Sequence, residues 1–224
     1  MAEQFEQREI EIFRILGKLG GIKKIILIGG YALNSYVEFP RFSIDCDLMV
    51  YDERRAVKIL KAEGYKLIER GEDFIRLERE TGGVKTGIDL LIKKIIDRQS
   101  GLTFEFDDIF KGSAERELPA KSVPKFKTKF RIASPEVIFV IKFASMRKQD
   151  VRDIFILSAC SLNKNKIREL IKKYFSDELL KERIEKLKES IESENFLNSL
   201  EGVYGKLPEE FISKTKKRML NFAS

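Results

Sequence analysis

The chain has 224 residues, 43% of them apolar and 35% charged. This composition fits a globular fold with one core, or one core with a helical appendage, and excludes a disordered chain. It contains no histidine and only two cysteines, Cys46 and Cys160, far apart in sequence, which excludes histidine-based triads, histidine metal motifs and zinc-finger-type sites, and leaves carboxylates as the ligands for any metal, a donor set suited to Mg or Mn. The formal charge of +7 favours polyanionic partners and serves solubility equally well.

Residues 4–19 place Phe5, Ile10, Ile12, Phe13 and Leu16 at helical spacing and predict an amphipathic helix ending at Gly20-Gly21. Its acidic opening has no apolar h-region, so no signal peptide is expected. The longest apolar runs, such as 25–28 and 137–141, are too short to span a bilayer. A cytoplasmic protein with no membrane partner is the expectation.

The run Ile25-Ile26-Leu27-Ile28 reads as a buried strand that stops at Gly29-Gly30. A helix over 31–37 follows, and Pro40 closes that region. Residues 43–51 alternate as a strand, with Ile44, Cys46, Leu48 and Val50 on one side and Asp45, Asp47 and Met49 on the other. A helix over 53–63, strands over 65–68 and 74–78, and a strand over 84–92 carrying Asp89 complete the legible part. Residues 97–133 hold Gly101, Gly112, Pro119 and Pro124 and predict short strands and loops, with alternation over 126–132. Ser134-Pro135 reads as a helix start. Helices are predicted over 135–146, 148–160, 163–174, 177–193 and 208–222. The expected division is an α/β domain over 1–133 and a helical domain over 134–224.

Asp45 and Asp47, two residues apart on one strand, project from the same face and repel each other unless a cation lies nearby. Asp89 on a second strand is the candidate third carboxylate, and three converging carboxylates make a divalent-metal site. The alternative is a solvated strand face. Gly29 and Gly30, between a strand and a helix, let backbone N–H groups approach a phosphate, or serve only as a turn. Neither a P-loop nor a G-x-G-x-x-G pattern is present.

Residues 25–50 read IILIGGYALNSYVEFPRFSIDCDLMV. This segment resembles the signature of the nucleotidyltransferase superfamily, and most closely the AbiEii-type nucleotidyltransferase toxin family. Gly29, Gly30, Ala32, Leu33, Arg41, Ser43, Asp45 and Asp47 carry the resemblance; Cys46 departs from it where an aliphatic residue is usual. Asp89, in GIDLL, resembles the superfamily's third carboxylate. Lys142, Arg147, Asp150 and Asp153 resemble the family's helical motif, so the likeness covers about residues 22–160.

The resemblance implies a nucleotidyltransferase-like mixed β-sheet with flanking helices, followed by a C-terminal helical region. It implies metal-dependent transfer of a nucleotide from a nucleoside triphosphate. Asp45, Asp47 and Asp89 are expected to be catalytic and to bind Mg or Mn, with Gly29, Gly30, Arg41, Ser43, Lys142, Arg147 and Asp150 at the nucleotide. Lys142 interrupts an apolar helix, where an ammonium is costly unless it meets an anion. The triphosphate is one candidate; the other is solvent together with Glu136. Asp150 and Asp153 are expected to pair with Arg147 or Arg152 and to orient the site or join the two parts. The family favours RNA, particularly tRNA, as acceptor, in a toxin-like role with a cognate antitoxin. The basic segment 121–131 is a candidate contact for an RNA backbone, or an edge strand protected by lysine. The alternatives are a small-molecule nucleotidyltransferase and a non-catalytic binding protein on the same fold.

Overall fold

The computed structural model describes residues 2–123 and 126–220. The chain divides into two compact units. One comprises Met1–Ser35, Arg41–Ile95 and Glu105–Ser134; the other comprises Tyr36–Pro40, Ile96–Phe104 and Pro135–Ser224. Besides the passage near residue 134, the chain therefore leaves the first unit twice, at 36–40 and 96–104.

The first unit contains α1 (Ala2–Leu19), β1 (Ile25–Leu27), α2 (Gly29–Asn34), β2 (Asp45–Val50), α3 (Glu53–Ala62), β3 (Lys66–Arg70), β4 (Phe74–Thr81) and β5 (Val84–Ile92). After the paired short strands β6 (Lys94–Ile96) and β7 (Thr103–Glu105) come α4 (Phe106–Lys111), β8 (Ala114–Pro119) and β9 (Lys127–Ile132). Seven strands form one sheet in the order β3-β4-β5-β2-β1-β9-β8. It is mixed: β2 runs parallel to β5 and β1 to β9, and the other neighbours are antiparallel.

Alternation separates the two faces of this sheet. Cys46, Leu48, Ile75, Leu77, Ile88 and Leu90 are all buried on one of them. Arg79 points the same way as Ile75 and Leu77 and pairs with Glu11 of α1 at 2.9 Å, so α1 covers that apolar face. It does so with Ile12, Ile15, Leu16 and Leu19, each fully buried. Ile10, expected on this stripe, is instead 40% exposed. The opposite face carries Asp45, Asp47 and Asp89. The β4–β5 hairpin closes through Gly82-Gly83, both at positive φ (59° and 77°), the two-residue turn whose twist suits adjoining strands.

The second unit contains α5 (Pro135–Ser145), α6 (Lys148–Ser158), α7 (Lys164–Tyr174), α8 (Asp177–Glu192), α9 (Phe196–Tyr204) and α10 (Glu209–Leu220). Helix α9 was not among the expected elements. Its Phe196, Leu200 and Tyr204 recur at four-residue spacing and are buried. The expected last helix over 208–222 extends beyond the described residues. Buried Arg183 donates from Nε to the carbonyl of Ala144 at 2.8 Å, satisfying a carbonyl in the last turn of α5. Among the described residues no helix is long and apolar enough to cross a membrane.

Candidate active site

In the register of β2 with β5, Asp47 stands opposite Asp89 and Asp45 opposite Gly87. Parallel neighbours in register point their side chains the same way, so the structure brings Asp45, Asp47 and Asp89 onto one face. A cation lies among them, and it belongs to the chain. Arg76 of β4, opposite Asp89 in the β4–β5 register, reaches Asp45 Oδ1 with Nη2 at 2.8 Å and Asp89 Oδ2 with Nη1 at 3.4 Å. Its Nε donates to Glu78 at 2.8 Å. The sequence reading did not single out Arg76. Its signal was only a basic residue on a neighbouring strand, and its targets became visible once the strand order was known.

Asp89 Oδ1 is buried and has no hydrogen-bond partner. Burial pushes the Asp89 carboxyl up to about 6; Arg76 opposes this, and the charges of Asp45, Glu78 and Glu69 reinforce it. The buried Cys46 thiol, beneath the site, is also pushed up, first by burial and then by the three aspartates.

The glycines fit closely around these side chains. Gly29 has φ +68° and lies so near the Asp47 carboxylate that a Cβ there would collide with it. A Cβ at Gly30 would meet Ser43 Oγ at 2.6 Å and Arg41 Nη2 at 3.0 Å. Gly29 and Gly30 thus open the six-residue helix α2 rather than precede it. The segment before β2 is fixed by α2. Asn34 donates from Nδ2 to the Arg41 carbonyl at 2.8 Å and accepts from the Arg41 N–H at 3.1 Å. Tyr31 Oη donates to the Ser43 carbonyl at 3.1 Å. Asn34 and Tyr31 are positioning residues that the sequence reading passed over.

Lys142, Arg147, Asp150 and Asp153 lie in the second unit and form a network of their own. Lys142 Nζ is 2.6 Å from Asp153 Oδ2 and 3.2 Å from Asp150 Oδ1, with all three side chains buried. Asp150 also accepts from Arg147 Nε at 2.7 Å, and Asp153 from Gln149 at 2.6 Å and Tyr204 at 2.5 Å. The pairing of Lys142 with Glu136 is not what the structure contains. Glu136 accepts from the Asn163 N–H at 3.1 Å and stands 3.6 Å from Lys166.

The basic segment 121–131 is also corrected in one respect: β9 is an interior strand, between β1 and β8, and the edge is β8. Lys129 and Arg131 stand opposite Glu117 and Glu115, and Lys127 pairs with Glu117 at 2.8 Å. Acids on the edge strand therefore offset this basic stripe. Pro124 and Lys125 of the segment lie outside the described residues.

The donor set, oxygen-only with one buried carboxylate oxygen lacking a partner, fits a hard divalent cation in chemistry. In this arrangement Arg76 supplies the neutralising charge. Among the described residues no group of three or more acidic or cysteine side chains is placed to hold a metal ion.

Comparison with known proteins gives the same fold. The structure is similar to that of JHP933 from Helicobacter pylori, with a TM-score of 0.57 and 13% identity over 99% of this chain and 90% of that one. A putative nucleotidyltransferase from H. pylori gives a TM-score of 0.54 and 13% identity, over 97% and 93% of the two chains. ANT(2")-Ia, in complex with adenylyl-2"-tobramycin, gives a TM-score of 0.50 and 17% identity, over 75% of this chain and 96% of that one. No curated relative matches the sequence. The family model described as the nucleotidyl transferase AbiEii toxin of a type IV toxin–antitoxin system matches residues 12–221. That match runs through both compact units, and the chain belongs to the AbiEii nucleotidyl transferase family, within the nucleotidyltransferase superfamily.

Proposed function

We propose that this protein transfers a nucleotide from a nucleoside triphosphate to an acceptor hydroxyl, with Mg or Mn held by Asp45, Asp47 and Asp89. The observation that carries this reading is Asp47 facing Asp89 across two parallel strands, with Asp45 beside them and Asp89 Oδ1 buried without a partner. Like charges brought together, with one buried carboxylate oxygen lacking a partner, cost stability, and such a cost supports a binding or catalytic face.

The ion would supply positive charge for the triphosphate and the departing pyrophosphate. The chain supplies the rest. Gly29 and Gly30 bring backbone close to Asp47, Arg41 and Ser43, so a phosphate there would meet the N–H groups of the turn, the Arg41 guanidinium and the Ser43 hydroxyl. Asp89 would orient the attacking hydroxyl, as a ligand of the ion or by accepting its hydrogen bond. Asn34 and Tyr31 hold the Arg41–Ser43 backbone in place for this role.

The family description, a toxin of a type IV toxin–antitoxin system, supports a toxin-like role with a cognate antitoxin; RNA as the acceptor, tRNA first, is what the sequence resemblance implies. A second reading, a small cationic acceptor, is favoured by a specific observation: Glu69 and Glu78 add their charge around Asp89, and such a surface attracts cations rather than a phosphate backbone.

The test is transfer of label from each α-labelled nucleoside triphosphate, with manganese or magnesium, to total RNA or to a pool of small polyamine and aminosugar compounds. The wild type should label one acceptor class, and Asp45→Asn with Asp47→Asn should label neither. Equal labelling by the two proteins, or none by the wild type with any nucleotide, refutes the assignment. Label in the small-molecule pool alone selects the second reading.

A further inference from the structure

We propose that Arg76 is a built-in counter-cation of the aspartate cluster that competes with the divalent cation and so raises the metal concentration the site requires. The inference rests on the reading of Asp45, Asp47 and Asp89 as metal ligands. What it adds is a role for a residue of this chain that opposes loading.

The geometry is specific. Arg76 starts on β4 and its guanidinium ends on a carboxylate of β2, so it must cross the intervening strand β5. It crosses at Gly87, where no side chain stands in the way. A Cβ at that position would lie 3.2 Å from Arg76 Nη2 and 2.9 Å from Asp45 Oδ1. One arm of the fork therefore takes Asp45 and the other Asp89, carboxylates of two different strands. A planar guanidinium has the shape to bridge two carboxylates in this way, and a lysine ammonium does not.

The contact of Arg76 to Asp89 is long at 3.4 Å, while the Nη2 contact to Asp45 and the Nε contact to Glu78 are both short at 2.8 Å. Glu78, two residues further along the same strand and on the same face, is thus an anchor outside the aspartate cluster. The Arg76 side chain is 29% exposed, so its two terminal nitrogens have room to leave Asp45 and Asp89 while Nε stays on Glu78. A divalent cation and the guanidinium neutralise the same carboxylates, and binding of one weakens binding of the other.

A purely structural role, stapling β4 to β2, makes the opposite forecast for metal affinity. The deciding measurement is manganese binding without nucleotide, by calorimetry and by loss of the free-ion electron paramagnetic resonance signal. It compares the full-length wild type, Arg76→Gln and Asp45→Asn/Asp47→Asn, each checked for folding by circular dichroism. Arg76→Gln should bind manganese roughly tenfold more tightly than the wild type, the size expected for removing one competing charge-assisted contact. Arg76→Lys, which keeps the charge without the fork, should fall between them and serves as the reading if Arg76→Gln does not fold. Unchanged or weaker binding in the folded Arg76 variants, with the wild type binding and the double aspartate variant not binding, overturns the competition and leaves the metal site standing. Manganese bound by none of the proteins, or bound equally by the double aspartate variant, overturns the metal reading and the proposal with it.

Discussion

Asp47 and Asp89 face each other directly across the parallel pair β2–β5, and Asp45, two residues from Asp47, adds a third carboxylate to the same face. Arg76 bridges Asp45 and Asp89 of this group, and its contact to Asp89 is the longer one, at 3.4 Å. Replacing Asp89 with asparagine removes one of the repelling charges at nearly constant shape. At neutral pH and without divalent cations, Asp89→Asn should melt at the same temperature as the wild type or a few degrees higher, while nucleotide transfer is lost. Calorimetric melting with a chelator present, run beside the transfer assay, checks both. A marked fall in melting temperature would show that Asp89 contributes more to the fold than to the reaction.

Gly29 gives a backbone prediction. Its φ of +68° is a conformation that L side chains rarely adopt, and a Cβ would strike the Asp47 carboxylate. Gly29→Ala therefore carries backbone strain of about 1–2 kcal/mol and must displace Asp47. Transfer activity should fall by more than tenfold, with a smaller loss of stability. Gly83→Ala is the matched control: its φ is also positive, at +77°, and nothing lies within 4 Å of its added Cβ. Gly83→Ala should lose stability and keep activity. Equal activity in the two folded variants would separate Gly29 from the function of the site.

How much of this was legible in the sequence depended on the range of the interactions. The aspartate pair, the glycine turn and the burial of Cys46 and Leu48 follow from local alternation, and the sequence carried them. The pairing of Asp47 with Asp89 needed a strand order, set by contacts between distant segments. Arg76 reaches Asp45 over 31 positions of sequence, so its role had no local signal. Helix α4 was hidden for another reason: six residues between short strands are too few to establish a period. Lys142 was readable as a costly charge in an apolar helix. Its partners Asp150 and Asp153 lie on the following helix, where local spacing points to Arg147 or Arg152; Asp150 does take Arg147, and Lys142 joins both from the preceding helix.

A pH prediction comes from the cluster beneath α1. Burial pushes the Glu11 carboxyl up, but the hydrogen bond and charge of Arg14, the charge of Arg79 and the hydrogen bond from Tyr65 outweigh it and hold Glu11 below its ordinary value of 4.5. A carboxylate depressed in the folded state stabilises the fold above its unfolded pKa, and that contribution is lost as pH falls through the folded pKa. Melting temperature should therefore decline below about pH 4.5 partly through Glu11, and Glu11→Gln should start lower and decline less over that interval. Parallel curves for the two proteins from pH 7 to pH 3 would assign the acid sensitivity to other groups.

Lys142 is the strongest prediction for the helical unit, because its surroundings set two roles against each other. The sequence expectation placed its ammonium on the triphosphate. In the structure it is buried between Asp150 and Asp153, at 3.2 and 2.6 Å, and Gln149 and Tyr204 also donate to Asp153. The ammonium thus neutralises two carboxylates of α6 from its place on α5. Removing one partner of a buried ion pair leaves an uncompensated charge and costs about 3–5 kcal/mol. Lys142→Ala removes the cation shared by Asp150 and Asp153 and leaves Arg147 on Asp150, and its melting temperature should fall on the order of 10 °C for a chain of this size. Lys142→Met keeps the packing of the stem and should lose nearly as much, because the charge is what is missing. Adding Asp153→Asn to Lys142→Met should recover part of the loss, since the neutral amide can still accept from Tyr204. Nucleotide affinities measured below the new melting temperature separate the two roles. A counter-ion role leaves the triphosphate-to-monophosphate affinity ratio as in the wild type. A phosphate contact lowers triphosphate affinity selectively, by roughly tenfold or more for a lost charge-assisted bond. A Lys142→Met protein that melts with the wild type would remove the counter-ion role altogether.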